Sequence, residues 1–344
     1  MSCLELVHPI CREAVINSLN AAKGSEPIIA FPEKLIDFQG NILDVEVTTL
    51  HINNQQGGFQ MVLVTDITAI NKAKAMAKAL EDARENERIY TEYLANLSHE
   101  FRTPINIIYN SCQLIDIYIE EGVKENLEKY NKVIKQNCHR IYRLVDNLID
   151  SSVICEGFYE INSVRVNLVD VIEDTVLSAS SYIESHEMEV VFDTDAEDIQ
   201  TLCDPDKIER IMLNLLSNAV KYKREGTGRI EVSVFSREDH TKISIRDDGK
   251  GIPEEKLPTI FDRFTRADKS FRRGQEGSGL GLYIAKALVE LHKGSITAYS
   301  VLNEGSEFVI TLPIVRSQGM GIMDRVIKTK SIAEKIEIEF SDVY

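Results

Sequence analysis

The stretch LSHEFRTP, residues 97–104, sets a histidine beside a carboxylate inside a long helical pattern. Neutral imidazole is a good phosphoryl acceptor because one of its ring nitrogens is nucleophilic near neutral pH. Glu100 is placed to take or hold the proton on the other ring nitrogen of His99. Thr103 lies one turn further along on the same face, where its hydroxyl is able to position a water. An exposed helical histidine with ordinary charged neighbours is the plainer alternative, so the rest of the chain has to decide.

The helical pattern extends on both sides of that stretch. Apolar residues recur at spacings of three and four over residues 69–120 and again over residues 123–155, with Gly122 between them. The first part, residues 69–92, predicts a connector helix or a coiled coil. Residues 93–156 predict a helical hairpin. One hairpin buries only one face, so we expect a second copy to complete a four-helix bundle.

A second group of polar residues occupies one stripe of another predicted helix. Asp204 as the cap and Pro205 at the first position start a helix that runs to about Tyr222. Asn214 and Asn218 are four residues apart, so their amides share a face. Asparagine disfavours helix interiors by roughly 0.7 kcal/mol relative to alanine. Two on one stripe favour a ligand such as Mg²⁺ with phosphate oxygens, although a solvated polar face is an equal alternative for this pair alone.

Two glycine-containing segments follow. In residues 243–253 a predicted strand ends at Asp247, and the glycines after it let the backbone approach a flat ligand closely. A carboxylate at that point is able to accept a hydrogen bond from an exocyclic amine such as that of adenine. Residues 274–282 run into a predicted helix, whose free amides and dipole suit phosphates. A plain glycine turn is the alternative for the first segment, and the second lacks the Gly-Lys-Ser/Thr ending of a Walker loop.

A locally basic segment lies between the two glycine segments of this acidic protein. Glycine and charge there predict a mobile lid over a triphosphate, with a solvated loop as the alternative. Its cations are Arg263, Arg266, Lys269, Arg272 and Arg273.

Composition limits the class of protein. The 344 residues are 43% hydrophobic and 27% charged, typical of a globular chain of two or three domains. A formal net charge of -16 argues against nucleic acid and anionic membranes as partners. The six cysteines are scattered singly, which favours reduced thiols over zinc sites or disulfides. There is no apolar run of membrane-spanning length and no signal peptide, so we expect a cytoplasmic protein or the soluble portion of a longer one.

Taken together and in their order along the chain, these segments resemble the motifs of the sensor histidine kinases of two-component systems. The matching strings are LSHEFRTP for the histidine box, NLLSNAVKY (214–222) for the asparagine box, and DDGKGIP (247–253) and GSGLGL (277–282) for two glycine boxes, with FDRF (261–264) between them. The resemblance covers roughly residues 94–313. It implies an α+β multidomain chain: a dimeric antiparallel four-helix bundle with two helices per chain, and an α/β sandwich ATP-binding domain of the gyrase, Hsp90 and histidine-kinase type.

The resemblance also implies a role for each matching residue. His99 would be the phosphoacceptor and Glu100 its acid/base partner, while Thr103 matches the position used to dephosphorylate the partner protein. Asn218 and Asn214 would hold Mg²⁺. Asp247 would bind the adenine amino group of ATP. The other residues expected to line the nucleotide are Lys221, Tyr222, Gly249, Gly251, Phe264, Gly277, Gly279, Leu280 and Gly281.

The implied activity is ATP-dependent autophosphorylation of His99. Transfer to an aspartate on the receiver domain of a response regulator would follow, with phosphatase activity towards that partner as a further expectation. The resemblance implies that the active form is a homodimer. It would be either a cytoplasmic kinase or the soluble part of a membrane-associated sensor. Two alternatives stay open: a catalytically weak dimeric regulatory module that binds ATP, and an ATPase of the gyrase or Hsp90 type.

The two ends of the chain are less informative. Residues 1–68 resemble the second half of a PAS sensor domain, with a predicted helix over 12–22 and then three strands. Those strands are Ile28–Phe38, Ile42–Ile52 and Phe59–Ile67. The ATP-binding domain is predicted over residues 157–315, and residues 316–344 form a tail of unknown role. Within the tail, residues 335–340 alternate in the manner of an edge strand.

Overall fold

The computed structural model describes residues 7–13, 28–36, 39–54, 57–120, 126–265, 279–315 and 331–343. The chain forms two compact units, Met1–Ile89 and Tyr90–Tyr344. Within the described ranges, no helix is both long enough and apolar enough to cross a membrane. The candidate site residues lie in the second unit.

The first unit contains a three-stranded antiparallel sheet in the order β1-β2-β3. Its strands are β1 (Ile28–Ile36), β2 (Ile42–Asn54) and β3 (Gly57–Asp66), close to the predicted ranges. The helix that follows is tied to the sheet, because the Thr68 hydroxyl accepts a hydrogen bond from the Asp44 amide at 2.8 Å. The PAS resemblance of residues 1–68 stays a prediction. Most of the helix predicted over 12–22 lies outside the described residues.

Two long helices form the predicted hairpin. Helix α1 (Thr68–Glu120) is continuous over 53 residues, and α2 (Leu127–Cys155) covers 29. The rings of Tyr118 and Tyr130 stack at 5.6 Å between centroids, which holds the two helices together near the turn. The predicted turn at Gly122 lies outside the described residues. Several large apolar side chains of the hairpin are exposed: Ile105, Tyr109, Ile117, Ile119, Tyr142 and Ile149.

The rest of the second unit is an α/β sandwich. Its five-stranded sheet has the order β5-β7-β8-β10-β9, with only the β5–β7 pair parallel, and β4 pairs with β6 in a separate two-stranded ribbon. The elements in chain order are β4 (Val164–Asn167), α3 (Leu168–Ser185), β5 (Met188–Thr194), β6 (Gln200–Cys203), α4 (Pro205–Lys221), β7 (Gly228–Ser236), β8 (His240–Asp247), α5 (Gly281–Leu291), β9 (Ser295–Val301) and β10 (Gly305–Pro313).

Strand period explains why the helices cover one face of this sheet. Along β7 the side chains of Ile230, Val232 and Val234 are fully buried, and the residues between them are not. The same alternation continues in β8 and β10. Burying this apolar face against α3, α4 and α5 is the main driving force for the sandwich. Helix α4 begins as predicted, with Asp204 accepting from the Lys207 amide at 3.3 Å and Pro205 in the first turn.

The tail differs from its prediction. Residues Ile332–Glu339 form a helix, α6, so the predicted edge strand over 335–340 is wrong. Its alternating apolar residues fit a strand, but Ile332, Ile336 and Phe340 also recur at a spacing of four, which places them on one helical face. Ser331 decides between the two, because its hydroxyl accepts from the Glu334 amide at 3.2 Å and caps the helix.

A matched pair of leucines on α3 tests the core. Leu168 is fully buried and Leu177 is 59% exposed. Leu168→Ala should lower the free energy of unfolding by about 2–5 kcal/mol, because it removes buried methyl groups and leaves a cavity. Leu177→Ala should change it by less than about 0.5 kcal/mol. Urea unfolding measures both, and equal losses would contradict the assigned packing of α3.

Candidate active site

A buried carboxylate stands at the end of β8. Asp247 continues the alternation of Ile243 and Ile245, so the strand period turns its side chain towards the helices, and it is only 8% exposed. One carboxylate oxygen accepts a hydrogen bond from the Gly249 amide at 2.8 Å. Burial raises the pKa of Asp247 to about 6, against the opposing effect of the Gly249 and Ser306 amides. This arrangement presents an acceptor at the edge of the sheet.

The loop after β8 requires glycine at two positions. A Cβ on Gly249 would lie 2.6 Å from a carboxylate oxygen of Asp247 and 2.8 Å from the Tyr222 carbonyl oxygen. Gly251 has a φ of +66°, and a Cβ there would lie 2.1 Å from the carbonyl oxygen of Val301. The backbone of this loop is therefore pressed against its neighbours in a way that no larger residue allows.

The two predicted asparagines meet on α4. Asn214 is only 3% exposed, and its Oδ1 accepts from the Nδ2 of half-buried Asn218 at 3.1 Å. Because this bond uses the nitrogen of Asn218, its amide oxygen is the atom that a hard cation would take. The residues present thus suit a divalent cation held by an oxygen of α4.

The start of α5 lies against the same asparagine. A Cβ on Gly281 would be 2.7 Å from Asn214 Nδ2, so only glycine lets the helix start this close to α4. Gly279 has a φ of +65° and Leu280 is fully buried, which fixes the turn into the helix. A helix N-terminus offers free amides and a positive dipole end to phosphate. Gly277, which the sequence also assigns to this loop, lies outside the described residues.

Lys221 and Tyr222 stand at the end of α4. The Lys221 ammonium lies 2.6 Å from Asp342 Oδ2 in the tail, and the lysine side chain is 6% exposed. Tyr222 is 37% exposed, and its carbonyl oxygen accepts from the Lys250 amide at 2.9 Å. Sequence reasoning did not find Asp342, because an acidic residue near a chain end has the pattern of a solvated tail.

Phe264 contacts the hairpin. It has a φ of +69°, and its ring stacks on that of Tyr93 of α1 at 3.7 Å between centroids. The Arg263 guanidinium lies over the Phe264 ring, 4.5 Å from the ring centroid. Burial, with Glu100 nearby, raises the pKa of Tyr93 to about 12. The expected role of Phe264 in lining a nucleotide stays a prediction. Tyr93, which the helical spacing did not single out, is its partner.

The histidine segment divides between the two sides of α1. His99 is exposed, whereas Glu100 is 6% exposed and Leu97 and Pro104 are also buried. Successive helical residues point about 100° apart, so the carboxylate faces inward and the imidazole outward. The Thr103 hydroxyl donates to the His99 carbonyl oxygen at 3.3 Å, which places it one turn along on the histidine face. An accessible nucleophile and a hydroxyl therefore share a surface.

Comparison with known families assigns both parts of this unit. Residues 203–316 match the family described as histidine kinase-, DNA gyrase B-, and HSP90-like ATPase, so this half is an ATP-binding domain. Residues 90–154 match the His Kinase A (phospho-acceptor) domain. A phosphoacceptor hairpin joined to such an ATP-binding domain defines a class of signalling kinase. The chain belongs to the sensor histidine kinases of two-component systems, which confirms the predicted resemblance.

Two sensor histidine kinases and one solved structure are similar to this chain. The chain is 29% identical over 328 residues to the sensor histidine kinase WalK of Bacillus subtilis, covering 92% of this chain and 51% of WalK. It is 33% identical over 247 residues to GacS of Pseudomonas protegens, covering 70% of this chain and 26% of GacS. The solved histidine kinase AdeS of Acinetobacter baumannii is 23% identical and covers 63% of this chain and 98% of AdeS, with a TM-score of 0.49. The chain spans about half the length of WalK and a quarter of GacS.

The raised pKa of Asp247 predicts a pH-dependent contribution to stability. Its folded pKa of about 6 exceeds the ordinary value of 3.8, so the group favours the folded state below pH 4, and this stabilisation disappears as pH rises through 6. Asp247→Asn removes the titration. Between pH 4 and pH 7 the native chain should therefore lose on the order of 2–3 kcal/mol of unfolding free energy relative to Asp247→Asn.

Urea unfolding of both proteins at several pH values checks this prediction. Subtracting the unfolding free energy of one protein from that of the other at each pH cancels the contribution of every other titrating group. A difference that stays constant across that range would show that Asp247 titrates normally and is not buried as described.

Proposed function

We propose that this chain transfers the γ-phosphoryl group of ATP to His99 and then to an aspartate on the receiver domain of a response regulator. The observation that carries the proposal is that one compact unit holds an exposed histidine on a helical hairpin and the glycine-lined site around Asp247 and Asn214. The two family matches and the relatives named as sensor histidine kinases support it.

The residues around the end of β8 would receive the base of ATP. The Asp247 carboxylate would accept a hydrogen bond from the adenine amino group, and the loop through Gly249 and Gly251 would lie flat against the ring. The start of α5, with Gly279 and Gly281, would give its amides to the phosphates. Leu280 is buried behind this turn and fixes it, and Gly277 would complete the loop. Tyr222, at 37% exposure, would lie beside the nucleotide.

The asparagine pair fits the metal that such a reaction needs. Asn218, supported by Asn214 at 3.1 Å, would hold Mg²⁺ through its amide oxygen. When bound, the ion would neutralise charge on the phosphate oxygens. Lys221 would add a further cation.

Phosphoryl transfer would use His99 as the nucleophile. A ring nitrogen attacks the γ-phosphorus, the bond from that phosphorus to the bridging oxygen breaks, and ADP leaves with the bonding pair. Glu100 would take or hold the proton on the second ring nitrogen, reaching over the edge of the ring from the inward side of α1. The N–P bond formed is labile, which suits a relay to a second protein.

A homodimer is the assembly that best suits the hairpin. Its exposed apolar side chains include Ile105, Tyr109, Tyr142 and Ile149, and a second hairpin would cover them. In such a bundle Thr103 would face the docked receiver domain from the histidine surface. Its hydroxyl would position the water that removes the phosphoryl group from the partner aspartate.

His99→Gln tests the acceptor directly. The native chain incubated with γ-labelled ATP and Mg²⁺ should acquire label that is acid-labile and base-stable, because it is carried on nitrogen. The variant should lose the label and still bind ATP. His240→Gln, a change of a histidine on β8, is the matched control and should label normally. Label retained in His99→Gln would place the acceptor elsewhere, and ATP binding without label in the native chain would favour the regulatory module.

Thr103→Ala tests the second activity. Dephosphorylation of a phosphorylated receiver domain should slow by on the order of 10²-fold, the usual contribution of a group that assists proton transfer or water placement. Autophosphorylation should not change, because Thr103 does not touch the ATP site. Thr103→Ser keeps the hydroxyl and serves as the control. If the alanine and serine variants dephosphorylate the partner equally fast, Thr103 has no phosphatase role.

A further inference from the structure

The tail segment, residues 331–343, packs between the hairpin and the ATP-binding domain. Phe340 is fully buried, with its ring 4.8 Å from that of Tyr182 on α3, and the Tyr182 hydroxyl donates to the Phe340 carbonyl oxygen at 3.2 Å. Ile336 and Val343 are also buried. This much apolar burial shows that the tail segment is a docked element of the fold.

One carboxylate of the tail segment joins the two domains. Asp342 pairs with the Arg143 guanidinium of α2 and, 2.6 Å away, with the Lys221 ammonium of α4. Glu339 adds a second link, since its Oε2 lies 2.9 Å from Arg143 Nε and its Oε1 lies 4.0 Å from Arg210 Nε. The cations come from the hairpin and from the ATP-binding domain, and the tail supplies anions to both.

Near the start of α6 the charges are reversed, because the tail segment supplies the cation and α4 supplies the anions. The Lys335 ammonium lies 2.6 Å from both Asp206 Oδ1 and Glu209 Oε2. On the side of the hairpin, Glu337 lies 3.6 Å from His139 Nδ1 and is 66% exposed. The interior pairs are therefore with α2 and α4, while Glu337 forms a contact at the rim.

The tail carboxylate Asp342 neutralises two buried cations, one from each side of this junction. Arg143 and Lys221 are both largely buried, and bringing two cations together out of water is costly unless an anion lies between them. Burial by itself raises the pKa of Asp342, but Arg143 and Lys221 hold it at about 2, so the group stays ionised at neutral pH. Without the tail segment, Arg143 of α2 and Lys221 of α4 would lose the anion between them, while Arg210 of α4 would keep its direct ion pair with Asp150 of α2.

We propose that the tail segment is an autoinhibitory latch, which ties the ATP-binding domain to α2 and holds Lys221 on Asp342 in competition with the phosphates of the nucleotide. The inference rests on the proposed function through the expected contact between Lys221 and ATP. The Asp342 carboxylate and a nucleotide phosphate would both need the Lys221 ammonium, and two anions at such a buried site repel each other. The docked tail also restrains a domain that has to bring a phosphorus atom to about 3–3.5 Å from a ring nitrogen of His99.

Linkage makes the latch reciprocal. If the docked tail weakens nucleotide binding by some factor, bound nucleotide must weaken tail docking by the same factor. Coupling between sites in proteins typically amounts to about 5- to 150-fold. Both directions are measurable on the full chain.

The first test compares Asp342→Asn with Glu337→Gln. The first variant keeps the shape of the side chain and removes the charge that binds Lys221, while the second removes an exposed charge at the rim of the same segment. Calorimetric titration with ATP and Mg²⁺ should show a dissociation constant about fivefold lower or more for Asp342→Asn. Glu337→Gln should match the native chain. Equal dissociation constants for all three proteins would overturn the latch.

Hydrogen exchange of the tail amides is the second test. Mg²⁺ and ATP should reduce the protection of residues 336–343 in the native chain by the same factor that Asp342→Asn gains in affinity. Unchanged or increased protection would overturn the competition between tail and nucleotide.

The two proposals fail in different ways. A native chain that binds no ATP would contradict the proposed function. The role of Asp342 in docking the tail would then be tested by hydrogen exchange in the absence of nucleotide. In that case Asp342→Asn should still speed exchange of the tail amides relative to Glu337→Gln. Equal exchange in the two variants would show that Asp342 does not hold the tail segment in place. A chain ending before Ser331 should give the affinity of Asp342→Asn, and native affinity in that shortened chain would also overturn the latch.

Discussion

The close approach of α5 to Asn214 is the constraint on which the ATP-binding domain depends. A Cβ at Gly281 would lie 2.7 Å from the asparagine nitrogen, so glycine at this position lets a helix start against the polar stripe of α4. That contact brings the expected phosphate loop and the expected metal ligands to one place. The sheet contributes Asp247 to the same site, because the alternation along β8 turns this side chain towards the helices. The site is thus a product of backbone proximity more than of side-chain charge, which suits an acidic chain that binds an anion.

The hairpin and the ATP-binding domain are joined by contacts of different kinds, including a direct ion pair between Asp150 of α2 and Arg210 of α4. Tyr93 and Phe264 stack at 3.7 Å and form an apolar contact on α1. Asp342, between Arg143 and Lys221, forms an ionic contact on α2. A kinase of the proposed kind has to combine a defined arrangement of its domains with movement between them. An ionic contact that depends on a separate segment is easier to switch than a packed core.

Much of this structure follows from local sequence pattern. Helical spacing predicted α1 and α2, Asp204 and Pro205 predicted the start of α4, and the glycine segments predicted the turns around the site. The apolar residues of the tail satisfy both the strand and the helix period, so their alternation predicts a strand, and only the cap at Ser331 distinguishes the helix that forms. The contacts of Lys221 with Asp342 and of Tyr93 with Phe264 join residues more than a hundred positions apart. No local period encodes such pairs, since they arise only when separate elements pack.

The central claim is that the phosphoryl group resides on His99. The most direct measurement is peptide mapping by mass spectrometry after brief incubation with Mg²⁺ and ATP, with digestion kept at neutral or basic pH to preserve a phosphorus–nitrogen bond. The account predicts one phosphorylated peptide containing residues 97–102, with the modification on His99. ATP consumed with no modification of that peptide would contradict it and would favour an ATPase of the gyrase or Hsp90 type.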